Sequence, residues 1–405
     1  MRLIGVASIA FVLALTFTSA SAREDSHSRF DGREIFRFDT FGDEQLWTDV
    51  LRLHEAVQTV SPTTALSVGL KVDVNALPQA IVDKLLAKEV DLNDPAVTMT
   101  LLKLNAVVGV MGKVDDSGRL TSIGITCALC HSNVDDSLTK GIGKRLDGWA
   151  NHDLNVGVIA GLAPGLAAFK TEFSTWGPGK YDPRHHAFDG VNLFELHPGM
   201  KSVPVVTPAI YGLKGVGFET YTADGPISYW NNYVGVSQMG GHGSFSDPRI
   251  GLFINQTPDL VTSKLKALLD YQLSLRAPKP PEDSFDHSGA ARGRQVFYRE
   301  AGCGSCHSGP NYTDVASDRP GDIPVLHDPA ETGMDPAYAD RTATGKYRTT
   351  PLRALWQHAP YFHDGSAPDL PAVVDHYDQH FNQSKAREKL TRPPIDFWLG
   401  GLSNA

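Results

Sequence analysis

The chain has 405 residues, of which 41% are hydrophobic and 20% are charged, and its formal net charge is −9. This length is sufficient for two or three domains, and the hydrophobic content is typical of globular proteins. The acidic balance excludes a general nucleic-acid binder and permits a basic protein partner.

The N-terminus has the pattern of a secretory signal peptide. Met1 and Arg2 precede an apolar run at residues 3–17, and small residues occupy positions 19–22. This pattern predicts cleavage near Ala22. A transmembrane anchor is the alternative, but the run is short for a membrane span. We therefore expect residues 1–22 to be removed and the mature protein to be periplasmic, without a membrane span.

Three helices are predicted before the first cysteine. Apolar residues recur at helical spacing over residues 44–60, and Ser61-Pro62 ends that run. A second helix is predicted from Pro78, and a third over residues 101–111, before a turn at 115–118. The inward side chains of the second helix are expected to be Ile81, Val82, Leu85 and Leu86. We assign residues 23–110 to an N-terminal helical extension that forms core rather than site.

A Cys-x-x-Cys-His pattern follows at Cys127, Cys130 and His131. This pattern is typical of c-type haem attachment. Two thiols at this spacing can each form a thioether with one of the two vinyl groups of a single porphyrin. The next imidazole can then bind the iron as its proximal ligand.

The segment over residues 141–258 has little periodicity and is rich in Gly, Pro and aromatic residues. Such a long irregular stretch in a compact chain is disordered or functional, and its aromatic content favours function. We expect it to surround the first haem. A helix capped by Asp259 is predicted to reach Leu275, and a proline-rich stretch at 278–281 then marks a domain boundary.

The Cys-x-x-Cys-His pattern recurs at Cys303, Cys306 and His307, so the two copies use all four cysteines of the chain. A redox dithiol would require a preceding strand, whereas residues 290–298 are predicted to be helical. A zinc ion shared by the two cysteine pairs would leave the histidine after each pair without a role. We therefore predict two covalently bound haem c groups.

The predicted fold is mainly α, with two cytochrome c-like haem domains, the N-terminal helical extension and long irregular loops. We place the first haem domain at residues 111–277 and the second at 284–405. A loop around Met334 and a helix over residues 369–381 are expected in the second domain.

The second half resembles the bacterial di-haem cytochrome c peroxidase and MauG family over about residues 286 to 385. The residues that carry this resemblance lie around the second attachment pattern, at 292–297 (RGRQVF), 347–353 (YRTTPLR), 360–366 (PYFHDGS) and 373–377 (VVDHY). The first half resembles the family more loosely, through CALCH at 127–131, Thr207-Pro208 and Asp224-Gly225.

The resemblance implies a peroxidase-like oxidoreductase in which the second haem receives electrons and the first meets hydrogen peroxide. It places the distal ligand of the second haem at Tyr377, where the peroxidases usually have Met and MauG has Tyr. A phenolate ligand favours ferric iron. The alternatives are that Tyr377 belongs to an apolar helix stripe, or that His376, His380 or Met334 is the ligand.

The sixth ligand of the first haem is left open by the sequence. His152 leads because it follows the attachment pattern most closely. The other candidates are the remaining histidines and methionines of the irregular segment: His185, His186, His197, His242, Met200 and Met239.

The family also places a Glu in the distal pocket of the first haem, where it moves a proton during O–O cleavage. Two registers put Asn231 or Ser237 at that position, and neither side chain can act as an acid or a base. Glu219 is the nearest acid upstream, and His242 is a further pocket candidate. No catalytic residue is assigned.

The resemblance further implies a Ca²⁺ ion held partly by backbone carbonyls, with that of Pro360 as a candidate. It also implies a small electron-donor protein, such as a cytochrome c or a cupredoxin, and a homodimer. Two other functions remain open: a non-catalytic periplasmic electron-transfer cytochrome, and MauG-like oxidative maturation of a partner protein.

Overall fold

The structure is a computed structural model, which describes residues 30–185, 187, 202–315 and 323–381. The predicted signal peptide lies outside these residues. The α-helices are Gly32–Phe38, Leu53–Val57, Pro62–Ser67, Gln79–Leu86, Pro95–Lys103, Ala128–His131, Val156–Ala160, Lys170–Phe173, Ile227–Tyr233, Leu265–Ser274, His287–Gln295, Pro329–Thr332 and Leu370–Phe381.

Shorter helical turns of other types extend or connect these helices. The π-helical segments are Gln45–Val50, Val234–Gln238 and Val296–Glu300, and the 3₁₀ segments are Val74–Ala76, Pro164–Phe169, Pro248–Ile250, Thr262–Lys264, Cys303–Ser305, Ala339–Arg341 and Leu355–Gln357. Within the described ranges, no helix is both long and apolar enough to cross a membrane.

Strands are short and pair only two at a time in the described part of the chain. Four sheets are antiparallel and one is parallel. The antiparallel pairs are Val110–Val114 with Leu120–Ile125, Ser132–Val134 with Arg145–Asp147, Lys180–Tyr181 with Val205–Val206, and Phe245–Asp247 with Leu252–Ile254; Val72–Asp73 runs parallel to Ile142–Gly143. The predicted mainly helical class is therefore confirmed.

The single helix predicted over residues 44–60 is wrong. Arg52 adopts a left-handed conformation, with φ of 58°, and divides the segment into Gln45–Val50 and Leu53–Val57. Ser61 then begins the next helix, because its side chain accepts a hydrogen bond from the Thr64 backbone N–H.

The helix predicted over residues 101–111 is also wrong. The helix begins after Asp94, which caps it, and ends at Lys103, while Met111 lies in a strand. The apolar residues at 107–111 keep the helical spacing but are not helical, because Asn105 and Gly109 both have positive φ and turn the chain out of the helix.

Three other predicted helices are present with shifted ends. The helix after Pro78 spans Gln79–Leu86, and Leu86, predicted to face inward, is 62% exposed. Asp259 accepts hydrogen bonds from the backbone of residues 261 and 262, ahead of the helix Leu265–Ser274. Asp369 accepts one from the Ala372 N–H at the start of Leu370–Phe381.

Two hydrophobic clusters surround the first attachment pattern. One includes Trp47, Leu102 and Leu129, and the other includes Phe36, Ala128 and Val236. Residues assigned from sequence to the extension thus share both cores with residues beside Cys127–His131, so the 110/111 boundary does not separate two cores. The domain boundaries otherwise remain predictions.

Candidate haem-attachment sites

The first attachment pattern forms a single helical turn, Ala128–His131, anchored by backbone hydrogen bonds. The His131 carbonyl accepts from the Gly148 N–H at 2.8 Å, and the Cys130 carbonyl accepts from the Asn151 N–H at 2.9 Å. These bonds hold residues 148–151 of the irregular segment against the pattern.

His131 has the environment that a proximal ligand requires. Its Nδ1 lies 3.1 Å from the Pro208 carbonyl oxygen, and burial lowers the pKa of the imidazole to about 4. Because a carbonyl can only accept, Nδ1 carries the proton and Nε2 keeps its lone pair. Burial also raises the pKa of the Cys127 and Cys130 thiols to about 12.

The second pattern has the same contact between the histidine Nδ1 and a backbone carbonyl, but its backbone conformation differs. Gly302, with φ of 67°, leads into the turn Cys303–Ser305, and a Cβ at position 304 would collide with the Tyr298 ring. His307 Nδ1 lies 3.0 Å from the Tyr312 carbonyl oxygen, and burial lowers the pKa of this imidazole as well. No disulfide joins any of the four cysteines.

A cavity of about 590 Å³ lies against the second pattern. Cys303, Cys306 and His307 line it, and most of its other lining residues are apolar or aromatic. Its size and composition are those of a site for a small-molecule cofactor. A haem fits this donor set because the thiols, the imidazole and an apolar enclosure are the groups that a c-type haem uses.

Tyr377 and Met334 both line this cavity, whereas His376 and His380 do not. Burial, followed by the nearby Cys303 and Cys306 thiols, raises the pKa of Tyr377 to about 12. The Nε2 atoms of His376 and His380 instead contact the carbonyls of Thr332 and Glu331, at 2.9 and 3.1 Å.

The structure places the predicted distal ligand His152 between two backbone carbonyls. Its Nδ1 is 2.9 Å from the Ala359 oxygen, and its Nε2 is 3.0 Å from the Thr207 oxygen. Each ring nitrogen thus faces a backbone carbonyl oxygen, which argues against a role as an iron ligand. His152 also lines the cavity of the second pattern.

The other predicted histidines and methionines of the irregular segment are dispersed. His185 accepts the Ala187 N–H and packs against Phe169, Phe173 and Trp176. His242 Nδ1 lies 2.6 Å from the Pro258 oxygen, and Met239 belongs to a hydrophobic cluster. His186, His197 and Met200 lie outside the described residues.

The three candidates for the distal acid position make structural hydrogen bonds. Glu219 Oε2 accepts from the Ile227 N–H at 2.7 Å, at the start of the helix Ile227–Tyr233. Asn231 exchanges two amide hydrogen bonds with Gln272, and the Ser237 hydroxyl donates to the Tyr233 carbonyl. These bonds assign no proton-transfer role to any of them.

A group of three phenols that interact electrostatically, one of them near the first pattern, was not predicted. Burial, followed by the nearby Cys130 thiol, raises the pKa of Tyr181 well above its usual value of 10. Burial does the same for Tyr338, and the Tyr233 hydroxyl donates to the Pro183 carbonyl at 2.7 Å. Aromatic residues far apart in sequence carry no signal of their meeting, so sequence reasoning could not find this group.

Two relatives match part of the chain, and no protein-family model matches it. The cytochrome-c peroxidase IdrP2 of Pseudomonas sp. is 32% identical over 127 residues, which cover 25% of this chain and 34% of the relative. The methylamine utilization protein MauG of Methylorubrum extorquens is 34% identical over 145 residues, which cover 32% of this chain and 36% of MauG.

Part of the chain is therefore similar in sequence to a cytochrome-c peroxidase and to MauG.

The chain spans about a third of the length of these curated relatives of the di-haem peroxidase and MauG family. Among solved structures, a MauG-like protein associated with microbial copper homeostasis superimposes with a TM-score of 0.34, at 17% identity over 52% of this chain and 78% of that one. Hydrazine synthase of Kuenenia stuttgartiensis superimposes with a TM-score of 0.33, at 18% identity over 52% of this chain and 76% of that one. These scores are too low to bear on the fold.

Proposed function

We propose that this chain is an exported di-haem c-type cytochrome with peroxidase-like activity, which reduces hydrogen peroxide with electrons from a small donor protein. The observation that carries the proposal is the repeated arrangement of two thiols beside a buried imidazole whose Nδ1 faces a backbone carbonyl. The sequence relatives named as a peroxidase and as MauG support the same chemistry.

A haem bound at each pattern would supply one-electron chemistry and an iron able to react with peroxide. Cys127 and Cys130 would hold one haem, and Cys303 and Cys306 the other. His131 and His307 would present Nε2 to the iron, since the Pro208 and Tyr312 carbonyls hold the proton on each Nδ1.

Reduction of one peroxide to two waters consumes two electrons and two protons, so the first site needs a proton donor. Burial and the nearby Cys130 thiol raise the pKa of Tyr181, so this phenol is protonated at neutral pH. We propose that Tyr181 and the two phenols that act on it electrostatically, Tyr233 and Tyr338, hold the protons for the first site in place of a distal Glu.

One observation favours the second candidate, oxidative maturation of a partner protein. Tyr377 lines the second cavity, and the resemblance assigns a Tyr at that point to MauG rather than to ordinary peroxidases. In this alternative, peroxide would be consumed only when a protein substrate is oxidised, and a small reductant would not support turnover.

Electron paramagnetic resonance of the purified holoprotein tests the proposal, after mass spectrometry has established two covalent haems per chain. Spectra would be recorded in the ferric state, after one-electron reduction and after addition of peroxide. We expect a high-spin signal, at rest or on half-reduction, that changes with peroxide. Two low-spin signals that never change, together with no turnover of peroxide, would replace the proposal with a non-catalytic electron carrier.

A further inference from the structure

Arg348 is a buried cation in the wall of the second cavity. Its side chain belongs to the stretch at residues 347–353, lines the cavity with His307 and is part of a residue that is 8% exposed. Burial lowers the pKa of the guanidinium to about 10, so the group remains charged at neutral pH.

The guanidinium is only partly hydrogen-bonded. Its Nη2 donates to the Glu219 carbonyl oxygen at 2.8 Å, whereas Nε and Nη1 are buried and have no hydrogen-bond partner among the described residues. Leaving donors of a buried charge without partners is costly, and such groups are normally satisfied by an anion. Arg348 Nε and Nη1 therefore lack a hydrogen-bond acceptor within the described residues.

His327, which also lines the cavity, already has carboxylate partners. His327 Nδ1 lies 2.9 Å from Glu331 Oε1, and its Nε2 lies 3.3 Å from Asp314 Oδ2. Two carboxylates of the chain therefore already face His327. The charge of Glu219 acts on Arg348, but within the described residues no acceptor is hydrogen-bonded to Arg348 Nε or Nη1.

We propose that Arg348 binds a propionate carboxylate of the second haem. This inference rests on the proposed function, since it requires a haem at Cys303 and Cys306. The haem would bring its own carboxylates into the cavity, and a guanidinium is well suited to them because it presents several donors in a plane.

The support for this side chain comes from the first half of the chain. The Arg348 backbone N–H donates to the Tyr221 carbonyl oxygen at 2.9 Å, and the guanidinium donates to the Glu219 carbonyl oxygen. The Glu219 carboxylate in turn accepts the Ile227 N–H. If Arg348 binds the second haem, these hydrogen bonds would hold residues 219–227 against the second cavity.

The test compares R348Q and R348K with R299Q, which removes the same charge from an exposed position just before Cys303. Mass spectrometry of the wild-type peptide first establishes the second haem, and its absence would refute the proposed function rather than this assignment. Redox titration is then expected to show a lower midpoint potential for the second haem in R348Q, because a nearby positive charge disfavours the ferric state. R299Q should retain the wild-type potential.

Resonance Raman spectroscopy gives the second readout. R348K keeps the charge but donates from a single ammonium, so the propionate bending band of the second haem should shift while its potential stays close to that of wild type. If R348Q does not accumulate as holoprotein, this band in R348K decides the question. An unchanged band in R348K, or an unchanged potential in R348Q, would overturn the assignment.

Discussion

Asp43 provides a test of how burial near the first attachment pattern affects stability. The residue is 0% exposed, and its pKa is raised from 3.8 to about 9, chiefly by desolvation and further by Glu44 and Asp39. Both carboxylate oxygens lie 3.1–3.3 Å from the Ile125 nitrogen, and this hydrogen bond lowers the pKa only in part. The carboxyl is therefore protonated in the folded protein at pH 7.

The sign of the pH dependence follows from proton binding. Between pH 3.8 and pH 9 the folded state holds a proton that the unfolded state has released, so the free energy of unfolding falls as the pH rises. At 1.36 kcal/mol per pH unit, the interval from pH 3.8 to pH 7 amounts to about 4 kcal/mol. Asp43→Asn removes this penalty and keeps an oxygen that can accept the Ile125 N–H.

We expect D43N to be more stable than wild type at pH 7, by up to about 4 kcal/mol, and to lose less stability between pH 5 and pH 8. Chemical denaturation of the holoprotein, followed by circular dichroism across this range, measures both effects. D116N, at an exposed position in a turn, is the control and should change stability by less than about 0.5 kcal/mol. A D43N variant less stable than wild type at pH 7, or with an unchanged pH slope, would refute the reasoning.

The remaining predictions concern the second cavity and the core. Replacing Cys303 and Cys306 together by Ala should halve the haem content per chain in a pyridine haemochrome assay, and full retention would contradict covalent attachment there. Tyr377→Phe should raise the midpoint potential of the second haem, since a phenolate ligand favours ferric iron; an identical potential and ferric spectrum would remove Tyr377 as ligand. Leu102→Ala, at a site 1% exposed, should cost about 2–5 kcal/mol in chemical denaturation, whereas Leu86→Ala, at 62% exposure, should cost less than about 0.5 kcal/mol.

The cap predicted at Asp259 was a reliable local signal, because a short polar side chain next to a helical run satisfies backbone N–H groups of the first turn. Ser61, which was predicted only to end the preceding run, also caps the next helix. Apolar spacing was less reliable. It extended one helix through Arg52 and another to Met111, since a single left-handed residue ends a helix without altering the periodicity.

The attachment patterns could be read from sequence alone, because c-type haem chemistry requires two thiols and an imidazole within five consecutive residues. The sequence alone therefore predicts the two sites, their thiols and their proximal imidazoles. Partners from distant parts of the chain could not be read in this way. His131 faces Pro208, and His152 joins the carbonyls of Thr207 and Ala359, across 55 and 207 residues. Only the tertiary structure brings such groups together, because a backbone carbonyl has no residue-specific signature and its use as an acceptor depends on where the chain folds back.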